Sequence, residues 1–418
     1  MAATAATGSS RIPCRLKPGG VLEEKNAVSR RKFVGGLAAA LGYVSTGPNL
    51  DVFAQGRGAG QAAPRARRPQ TPAEYDALAK LANNENNWGI PDSVMDAMEG
   101  AWKYAGRYGY PDPGINQAIA EYDGIKPENI MLGAGSGEIL SVVGVTFLQG
   151  GKKVLGVTPS YMSVYSHATR LKSEAITMPL TKDHRQDIGQ LIDIANKRQN
   201  EIGFVYIVNP NNPTGVIVTK DEVKQLIEGI PAGMPVLLDE AYHHYVDDPA
   251  YATGMPYVNQ GRPVIVARTF SKIAGMAALR IGYAAAPTEI LEKMRPYSTG
   301  SVNVLARYGA VATLKDPKAM NDVKQKTKQL RDKTSKELRD LGYEVIPSQT
   351  NFFMVGLRRE VQPVIAAFRE EGVLVGRPFP PMTQHLRVSI GTAEEMDRFM
   401  VAFKKVMARP ATTTAQQG

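Results

Sequence analysis

Three short segments of this chain, together with one arginine, carry side chains that could perform chemistry on an amine. Residues 267–272 (Ala-Arg-Thr-Phe-Ser-Lys) end an apolar run with a lysine, and Arg280 follows eight residues later. Residues 209–215 (Asn-Pro-Asn-Asn-Pro-Thr-Gly) form a proline-rich turn, and residues 239–242 read Asp-Glu-Ala-Tyr. Together they supply an amine, a carboxylate, a phenol, an amide and a guanidinium. This set can hold pyridoxal phosphate (PLP) and use its ring as an electron sink.

Lys272 is the residue expected to bind the cofactor covalently. It follows a strand-like apolar run and precedes a second apolar stretch, residues 273–279. A lysine in such surroundings is costly unless it is used, because desolvation favours the neutral amine that forms Schiff bases. The alternative interpretation is a surface lysine.

The ring of PLP would be held by residues at the ends of two further apolar runs. Asp239 ends the run 236–238 and could pair with the protonated pyridine nitrogen, although a helix cap or an exposed turn is the alternative. Tyr242 and Asn212 could both donate to the phenolic oxygen of the cofactor. Pro213 restricts the backbone beside Asn212 and so directs its amide.

A glycine-rich segment, residues 133–138 (Gly-Ala-Gly-Ser-Gly-Glu), follows a predicted strand and opens a helix, which is typical of an anion site. It also resembles half of a dinucleotide fingerprint. That interpretation requires an acidic residue after the next strand, and residues 158–161 (Thr-Pro-Ser-Tyr) contain none. We therefore predict phosphate binding and keep NAD as a minor alternative. Arg280 and Ser271 would complete the phosphate site.

Two further side chains fit the same site. Tyr161 is predicted to open a helix, and its ring could stack on a pyridine ring or belong to the core. Arg387 interrupts the apolar segment 386–390, and a buried guanidinium needs an anion. A substrate α-carboxylate would serve, and an internal salt bridge is the alternative.

The elements that must position these residues alternate in type. Short apolar runs between residues 130 and 284 are separated by amphipathic helical stretches, which predicts an α/β fold with a mostly parallel sheet covered on both faces. The polar motifs fall where the runs end, and ligands collect at the carboxyl ends of such strands. After residue 302, a long charged helix at 318–341 and several short strands predict a smaller α+β domain.

The amino-acid composition indicates a globular protein and gives no sign of nucleic-acid or metal binding. The chain has 418 residues, of which 43% are hydrophobic and 22% charged, as in a globular protein with a large core. The net charge is +10, but no lysine and arginine block with interleaved aromatic residues occurs, so nucleic-acid binding is not predicted. Cys14 is the only cysteine, and the single histidine pair, His243-His244, would point to opposite faces of a strand. We predict no metal site.

Residues 1–54 resemble a secretory signal peptide. Arg30-Arg31 precedes a chargeless stretch, residues 34–50, and small residues at 52 and 54 flank Phe53. The paired arginines are similar to a twin-arginine signal, which predicts export to the periplasm; a chance pair would leave the protein cytoplasmic. The stretch is too short and glycine-rich for a stable membrane span. Residues 55–75 are predicted to be a flexible linker.

Residues 80–407 resemble fold-type I PLP-dependent aminotransferases through the motifs quoted above, and histidinol-phosphate aminotransferases in particular. The segments that carry the closer resemblance are residues 83–86 (Asn-Asn-Glu-Asn), 108–113 (Tyr-Gly-Tyr-Pro-Asp-Pro) and 127–130 (Pro-Glu-Asn-Ile). The resemblance implies a three-layer αβα large domain with a smaller α+β C-terminal domain. The implied boundaries are 76–107 for an N-terminal arm and small-domain segment, 108–301 for the large domain, 302–410 for the small domain and 411–418 for a disordered tail.

The same resemblance implies a role for each matching residue. Lys272 would carry the cofactor and move a proton, Asp239 and Tyr242 would complete the catalytic set, and Arg387 would bind the substrate carboxylate. Tyr110 would reach the phosphate in a neighbouring subunit, which implies a homodimer with shared active sites. The residues implied at the phosphate are Ser136, Gly137, Thr269, Ser271 and Arg280.

Two departures from the family pattern fall on the substrate side. Asn87-Trp88-Gly89 stands where the family usually has Pro-Tyr-Gly, so Trp88 is a candidate substrate-binding residue. Gly376 shifts Arg377 by one position from the family's Val-Arg-Pro, and Arg377 is a candidate for binding a substrate phosphate.

We predict an aminotransferase that moves an amino group by a ping-pong mechanism. The amino group would pass between an amino acid or amino-alcohol phosphate and a 2-oxo acid. The donor remains open among histidinol phosphate, aromatic amino acids and other amino acids. The alternatives are a PLP-dependent decarboxylase or lyase on the same fold and, more remotely, a B6-binding protein without turnover.

Overall fold

The computed structural model describes residues 71–410, except for the side chains of residues 169 and 170. The predicted signal peptide, most of the predicted linker and the predicted tail lie outside the described residues. A one-turn helix, Pro72–Asp76, begins at Thr71, whose side chain accepts a hydrogen bond from the backbone of Glu74. The predicted linker therefore ends before this helix, because a cap and a proline in the first turn favour helix there. No helix of residues 71–410 is both long and apolar enough to cross a membrane.

Strands and helices alternate through the first two thirds of the described chain, as predicted. The strands are β1 Ala79–Leu81, β2 Ile130–Gly133, β3 Lys153–Thr158, β4 Ala175–Pro179, β5 Ile202–Val208, β6 Val236–Asp239, β7 Val264–Thr269, β8 Gly282–Ala285, β9 Glu344–Val345, β10 Phe352–Gly356, β11 Val373–Val375 and β12 His385–Ser389. The α-helices are α1 Pro72–Asp76, α2 Asp92–Ala101, α3 Ile115–Asp123, α4 Ser136–Phe147, α5 Ser163–Arg170, α6 Ile188–Lys197, α7 Lys220–Gly229, α8 Met255–Asn259, α9 Thr288–Met294, α10 Val304–Lys315, α11 Pro317–Asp340, α12 Val361–Glu370 and α13 Ala393–Met407.

A seven-stranded sheet forms the centre of the larger part, in the order β2-β8-β7-β6-β5-β3-β4. Only β8 runs antiparallel to its neighbours, β2 and β7. Successive residues of β5 enter different cores: Val205 and Ile207 pack on one side of the sheet, and Phe204 and Tyr206 on the other. Both faces are therefore covered by helices, and the predicted α/β architecture with a mostly parallel sheet is confirmed.

The smaller part contains a three-stranded antiparallel sheet, β12-β10-β9, and the parallel pair β1-β11. Its core includes Phe353 from β10 together with aromatic residues of two helices. Phe368 of α12 and Phe399 of α13 stack with ring centroids 5.5 Å apart. The pairing of β1 with β11 brings residues 79–81 against a strand almost three hundred residues later. The loop after β1 then reaches the segments that follow β6 and β7, where Asn84 donates to Tyr242 and Asn86 donates to the carbonyl of Ile273.

Two helices begin with a capping box. Thr219 and Glu222 form a reciprocal capping box at the start of α7, and Thr392 and Glu395 do the same for α13. Glu395 also accepts hydrogen bonds from the backbone of Lys80 (3.0 Å) and the side chain of Asn87 (2.6 Å). This one carboxylate therefore both caps α13 and holds the loop that follows β1.

Candidate active site

The predicted residues meet at the carboxyl ends of β5, β6 and β7. Parallel pairing aligns Val208 with Asp239 and Asp239 with Ala267, so the motifs that follow these strands begin side by side. Behind them, Arg268 of β7 is buried and donates to Glu240 Oε2 (2.7 Å), and it also pairs with Asp123. This internal ion network anchors the chain immediately after Asp239.

Asp239 is buried and has two hydrogen-bond donors. Tyr206 Oη lies 3.3 Å from its Oδ2, and the backbone N of Ala241 lies 3.2 Å from its Oδ1. Burial raises the pKa of Asp239 to about 6, although both hydrogen bonds act in the opposite direction. Tyr206 was not predicted from sequence. Its hydroxyl in the buried strand β5 is a usable signal, because a buried tyrosine hydroxyl usually needs a polar partner.

The hydroxyl of Tyr242 accepts hydrogen bonds from two asparagine side chains. Asn84 Nδ2 lies 3.0 Å from Tyr242 Oη, and Asn212 Nδ2 lies 3.3 Å from the same atom. The amine of Lys272 lies 5.6 Å from the centroid of the Tyr242 ring and donates to the carbonyl of Asn83 (3.1 Å). Lys272 is half-buried, so it belongs to this cluster rather than to an open surface.

An anion cradle lies at the turn between β2 and α4. Gly135 adopts φ +78°, and Ser136 and Gly137 open the helix, where the first backbone N–H groups face outward. Arg280 donates to the hydroxyl of Ser271 (3.2 Å) and to the carbonyl of Ala134 (3.2 Å). A Cβ at Gly135 would come within 2.2 Å of Arg280 Nη2, so glycine is needed for this close approach.

The hydroxyls predicted for the cradle are linked to each other. Thr269 Oγ1 lies 2.9 Å from Ser271 Oγ and accepts a hydrogen bond from the backbone N of Ser271 (3.1 Å). Tyr161 lies two residues before α5 rather than opening it. Burial raises the pKa of Tyr161, and the charges of Asp239 and Tyr242 raise it further, while that of Arg280 lowers it.

Arg387 is 7% exposed and has only neutral partners among the described residues. It donates to Asn212 Oδ1 (2.8 Å) and to the carbonyl of Ala82 (2.6 Å), while its Nε has no partner. Burial and the charge of Arg377 lower the pKa of Arg387 to about 10. Within residues 71–410 no carboxylate pairs with it, so the structure does not contain the alternative internal salt bridge there, and the guanidinium is available to a bound anion.

A second arginine shares an aromatic neighbour with Arg387. The guanidinium of Arg377 lies 4.3 Å from the centroid of the Phe379 ring, and that of Arg387 lies 4.7 Å from it. Arg377 is exposed in the single chain. Trp88 is half-buried and packs against the cores of both the larger and the smaller part. The substrate-side candidates therefore line the junction of the two cores.

Tyr110 is not part of this cluster in its own chain. It precedes Pro111, whose carbonyl accepts a hydrogen bond from Tyr308 Oη (3.1 Å) on α10. No hydrogen bond joins Tyr110 to the cradle among the residues that the structure describes.

The histidine pair occupies a 3-10 turn, His243–Tyr245, and not a strand as the sequence interpretation assumed. In this turn the two rings lie 3.7 Å apart. Burial and the charge of Arg268 lower the pKa of His244 to about 3, so both rings are held neutral beside the ion network. No group of three or more possible metal ligands occurs among the described residues.

The residues present fit PLP. The cofactor carries a phosphate, a phenolic oxygen, a pyridine nitrogen and an aldehyde. Each of these four groups has a matching partner in the site. The cationic cradle suits the phosphate, and Tyr242 and Asn212 can donate to the phenolic oxygen. The buried carboxylate of Asp239 suits the pyridine nitrogen, and the amine of Lys272 suits the aldehyde. Burial raises the pKa of Asp239, and a protonated ring nitrogen beside it would stabilise the charged form of this carboxylate. Fold and site together define a PLP-dependent enzyme.

Comparison with known proteins identifies the family. The family model for aminotransferase class I and II matches residues 77–403, and the chain belongs to this family. It is a PLP-dependent aminotransferase, as predicted. Histidinol-phosphate aminotransferase from Moorella thermoacetica is 33% identical over 339 residues, which cover 79% of this chain and 86% of that protein.

Two further relatives agree with this family. Histidinol-phosphate aminotransferase 2 from Hydrogenovibrio crunogenus is 34% identical over 338 residues, covering 79% of this chain and 88% of that protein. The crystal structure of histidinol-phosphate aminotransferase from Sinorhizobium meliloti in complex with pyridoxal-5'-phosphate matches with a TM-score of 0.74 and 25% identity. That match covers 83% of this chain and 98% of the other.

Proposed function

We propose that this aminotransferase acts on donors and acceptors that carry an anionic group, and that it follows a ping-pong mechanism. The donor class is an amino acid or an amino-alcohol phosphate such as histidinol phosphate, and the acceptor is a 2-oxo acid. The observation that carries the proposal is Arg387, a buried guanidinium with neutral partners and a free Nε among the described residues. The names of the relatives support a phosphate-bearing donor.

Each residue of the cluster has a defined task in this proposal. When bound, PLP supplies a carbonyl that takes up the amino group and a protonated ring that accepts electrons from the substrate. Lys272 carries the cofactor in the resting enzyme, and its freed amine moves the proton at the substrate α-carbon. Asp239 keeps the ring nitrogen protonated, and Tyr242 and Asn212 donate to the phenolic oxygen. The cradle of Ser136, Gly137, Thr269, Ser271 and Arg280 holds the phosphate, and Tyr161 covers the ring.

Arg387 and Arg377 bind different anionic groups of the substrates. Arg387 binds the carboxylate of the 2-oxo acid and of amino-acid donors, because its fork can hold two oxygens at once. Arg377 lies against the same Phe379 ring and is accessible, which suits the phosphate of a longer donor. Trp88 packs at the same junction and limits the width of the substrate side.

A half-reaction experiment tests the proposal directly. The loaded enzyme is mixed with single amino donors, including histidinol phosphate and a panel of amino acids, without any acceptor. We expect stoichiometric conversion of the cofactor to pyridoxamine phosphate with the preferred donor, and parallel double-reciprocal plots in steady state. Release of CO2 without pyridoxamine phosphate would instead identify a decarboxylase. Absence of any conversion, with Lys272→Ala abolishing the cofactor absorbance, would identify a binding protein.

We also propose that the protein is a homodimer with shared active sites. Tyr108 and Trp102 are 106% and 62% exposed in the single chain, and large exposed aromatic residues favour an interface. Tyr110 lies in the same exposed segment, away from its own cradle. A mixture of Tyr110→Phe and Lys272→Ala subunits separates the arrangements. If Tyr110 serves the partner, mixed dimers contain one intact site and regain activity; if it serves its own subunit, mixing restores nothing.

A third proposal concerns location. Arg30-Arg31 and the small residues at 52 and 54 support export through a twin-arginine route, which carries folded proteins and so suits an enzyme that binds its cofactor first. Fractionation of cells that express the full chain tests this. Arg30→Lys combined with Arg31→Lys should retain the protein in the cytoplasm, and an unchanged distribution would contradict export.

A further inference from the structure

Asn84 has an unusual backbone conformation and a buried side chain. Its φ is +56°, in the left-handed region that asparagine tolerates better than most residues, and it is 1% exposed. Its side chain connects Ser389 of β12 with Tyr242, and so links the sheet of the smaller part to the cofactor site. The effect of Asn84 on the site depends on the direction of its hydrogen bonds.

Ser389 orients the side-chain amide of Asn84. Ser389 Oγ accepts a hydrogen bond from the backbone N of Asn84 (2.9 Å) and donates its own proton to Asn84 Oδ1 (2.8 Å). The oxygen of the Asn84 amide thus faces Ser389. Its NH2 group then faces Tyr242 Oη, and an amide NH2 can only donate.

Arg387 orients the side-chain amide of Asn212. Arg387 has no acceptor atom, so the atom of Asn212 that it contacts at 2.8 Å is the amide oxygen. The NH2 group of Asn212 consequently points at Tyr242 Oη, 3.3 Å away. Two donors thus converge on one phenolic oxygen, which has two lone pairs and a single proton.

We propose that Asn84 is a positioning residue that, with Asn212, occupies both lone pairs of the Tyr242 hydroxyl and turns its proton toward the phenolic oxygen of the cofactor. Within residues 71–410, Tyr242 has no recorded acceptor for that proton. The inference rests on the proposed role of Tyr242. It adds Asn84 and Ser389, which act through Tyr242 and not by contact with substrate or cofactor.

The readout is the pH titration of the absorbance of the Lys272-linked cofactor. A donor on the phenolic oxygen stabilises its negative charge and lowers the proton affinity of the adjacent nitrogen. Tyr242→Phe removes that donor and should raise the titration midpoint. Asn84→Asp keeps the shape and the bond from Ser389 but replaces the donor facing Tyr242 by an acceptor. It should therefore raise the midpoint by about 0.5–1 pH unit, and more than Asn84→Ala does.

A merely structural role predicts the opposite ranking, because Asn84→Asp is the more conservative change. The added negative charge is controlled by placing Asn84→Asp in a Tyr242→Phe background. The shift should vanish there, since no hydroxyl remains to be turned. Ser389→Ala, which keeps the Asn84 side chain and introduces no charge, should raise the midpoint in the same direction by freeing the amide to rotate.

Two outcomes would overturn separate parts of the account. A shift from Asn84→Asp that persists unchanged in the Tyr242→Phe background, or no shift from Asn84→Asp and Ser389→Ala, contradicts the positioning role and leaves the proposed function intact. No shift from Tyr242→Phe itself contradicts the proposed role of Tyr242.

Discussion

Tyr206 Oη and Asp239 Oδ2 lie 3.3 Å apart, and the contact crosses from β5 to β6. Tyr206 is aligned with Leu237, and Val208 with Asp239, so the pair is a diagonal neighbour on one face of the sheet. The carboxylate of Asp239, at the end of β6, is thus oriented by a tyrosine of β5, the strand that leads into the proline-rich turn 209–215. The hydrogen bond stabilises the charged form of Asp239, whose pKa burial alone would raise further.

Tyr206→Phe should weaken cofactor binding while leaving the fold intact. A hydrogen bond to a charged group contributes about 1.5–3 kcal/mol, so the affinity for PLP should fall roughly 10- to 100-fold. Spectroscopic titration of the cofactor-free protein measures this. Tyr165→Phe is the matched control, because that hydroxyl donates to the carbonyl of Val157 (3.0 Å) in the same core. An affinity loss equal in both variants would contradict a specific role for Tyr206.

The contribution of Asp239 to the stability of the cofactor-free protein should fall as pH rises through the titration of this carboxyl group. Its pKa is raised from 3.8 to about 6 in the folded chain, so the neutral acid is favoured by folding. This contribution is fully present below pH 3.8 and is lost as pH rises toward 7; a shift of about two units corresponds to ~3 kcal/mol.

Asp239→Asn removes this dependence, because an amide stays neutral at every pH. Thermal unfolding of both cofactor-free proteins between pH 4.5 and 7.5 measures the difference. We expect the variant to gain stability relative to the wild-type chain as pH increases. Parallel pH profiles would show that Asp239 is already charged at the lower pH.

Gly135→Ala should damage the anion cradle. The added Cβ would lie 2.2 Å from Arg280 Nη2, so the guanidinium must move away from Ser271 and from the phosphate position. We expect the affinity for PLP to fall by at least about tenfold, and the backbone strain at φ +78° and ψ 166°, a region nearly restricted to glycine, to cost about 1–3 kcal/mol of stability.

Gly124→Ala separates strain from the clash. Gly124 also has a positive φ (+65°), but a Cβ there would meet nothing within 4 Å. The backbone of Gly124 is left-handed helical (φ +65°, ψ 37°), so this variant should lose about 1 kcal/mol of stability, no more than Gly135→Ala, and keep its affinity for PLP. Equal loss of affinity in both variants would mean that the effect of Gly135→Ala is not local to the cradle.

Arg387→Gln and Arg377→Gln should differ in which substrates they affect. Arg387→Gln should lower kcat/KM for every acceptor and amino-acid donor by roughly 100-fold or more, because a bidentate charged contact is lost. Arg377→Gln should affect only donors that carry a phosphate. Initial rates with histidinol phosphate and with an aromatic amino acid provide the comparison. A uniform loss in Arg377→Gln would contradict the division of recognition between the two arginines.

The loop after β1 offers a test of how the substrate side is held. Asn87 stands where the family usually has proline, and its side chain donates to Glu395 Oε2 (2.6 Å) and to the carbonyl of Lys80 (3.1 Å). Asn87→Ala should raise KM with a smaller effect on kcat, since Trp88 beside it loses its fixed position. Asn87→Pro restricts the backbone through the proline ring and not through hydrogen bonds, so its KM should lie closer to that of the wild-type chain than the KM of Asn87→Ala does. Equal failure of both variants would contradict this explanation.

The sequence by itself was enough for the class of fold, the cofactor and the identity of most residues around it. Apolar runs of strand length ended at polar motifs, and parallel strands gather such motifs at one edge of a sheet. Lys272, Asp239 and Asn212 could therefore be predicted together from their positions after β7, β6 and β5. A capping box such as that of Thr219 and Glu222 can also be recognised in a sequence, because its two partners lie within four residues of each other.

Only the tertiary structure decided which distant side chains support that set. Tyr206 reaches Asp239 through the register of two strands, and Asn84 reaches Tyr242 and Ser389 across 158 and 305 residues of chain. The free Nε and the neutral partners of Arg387 could likewise not be predicted from sequence. An arginine within an apolar strand is equally compatible with an internal salt bridge. Such contacts depend on how separate elements pack, and no local pattern of residues encodes that distance or direction.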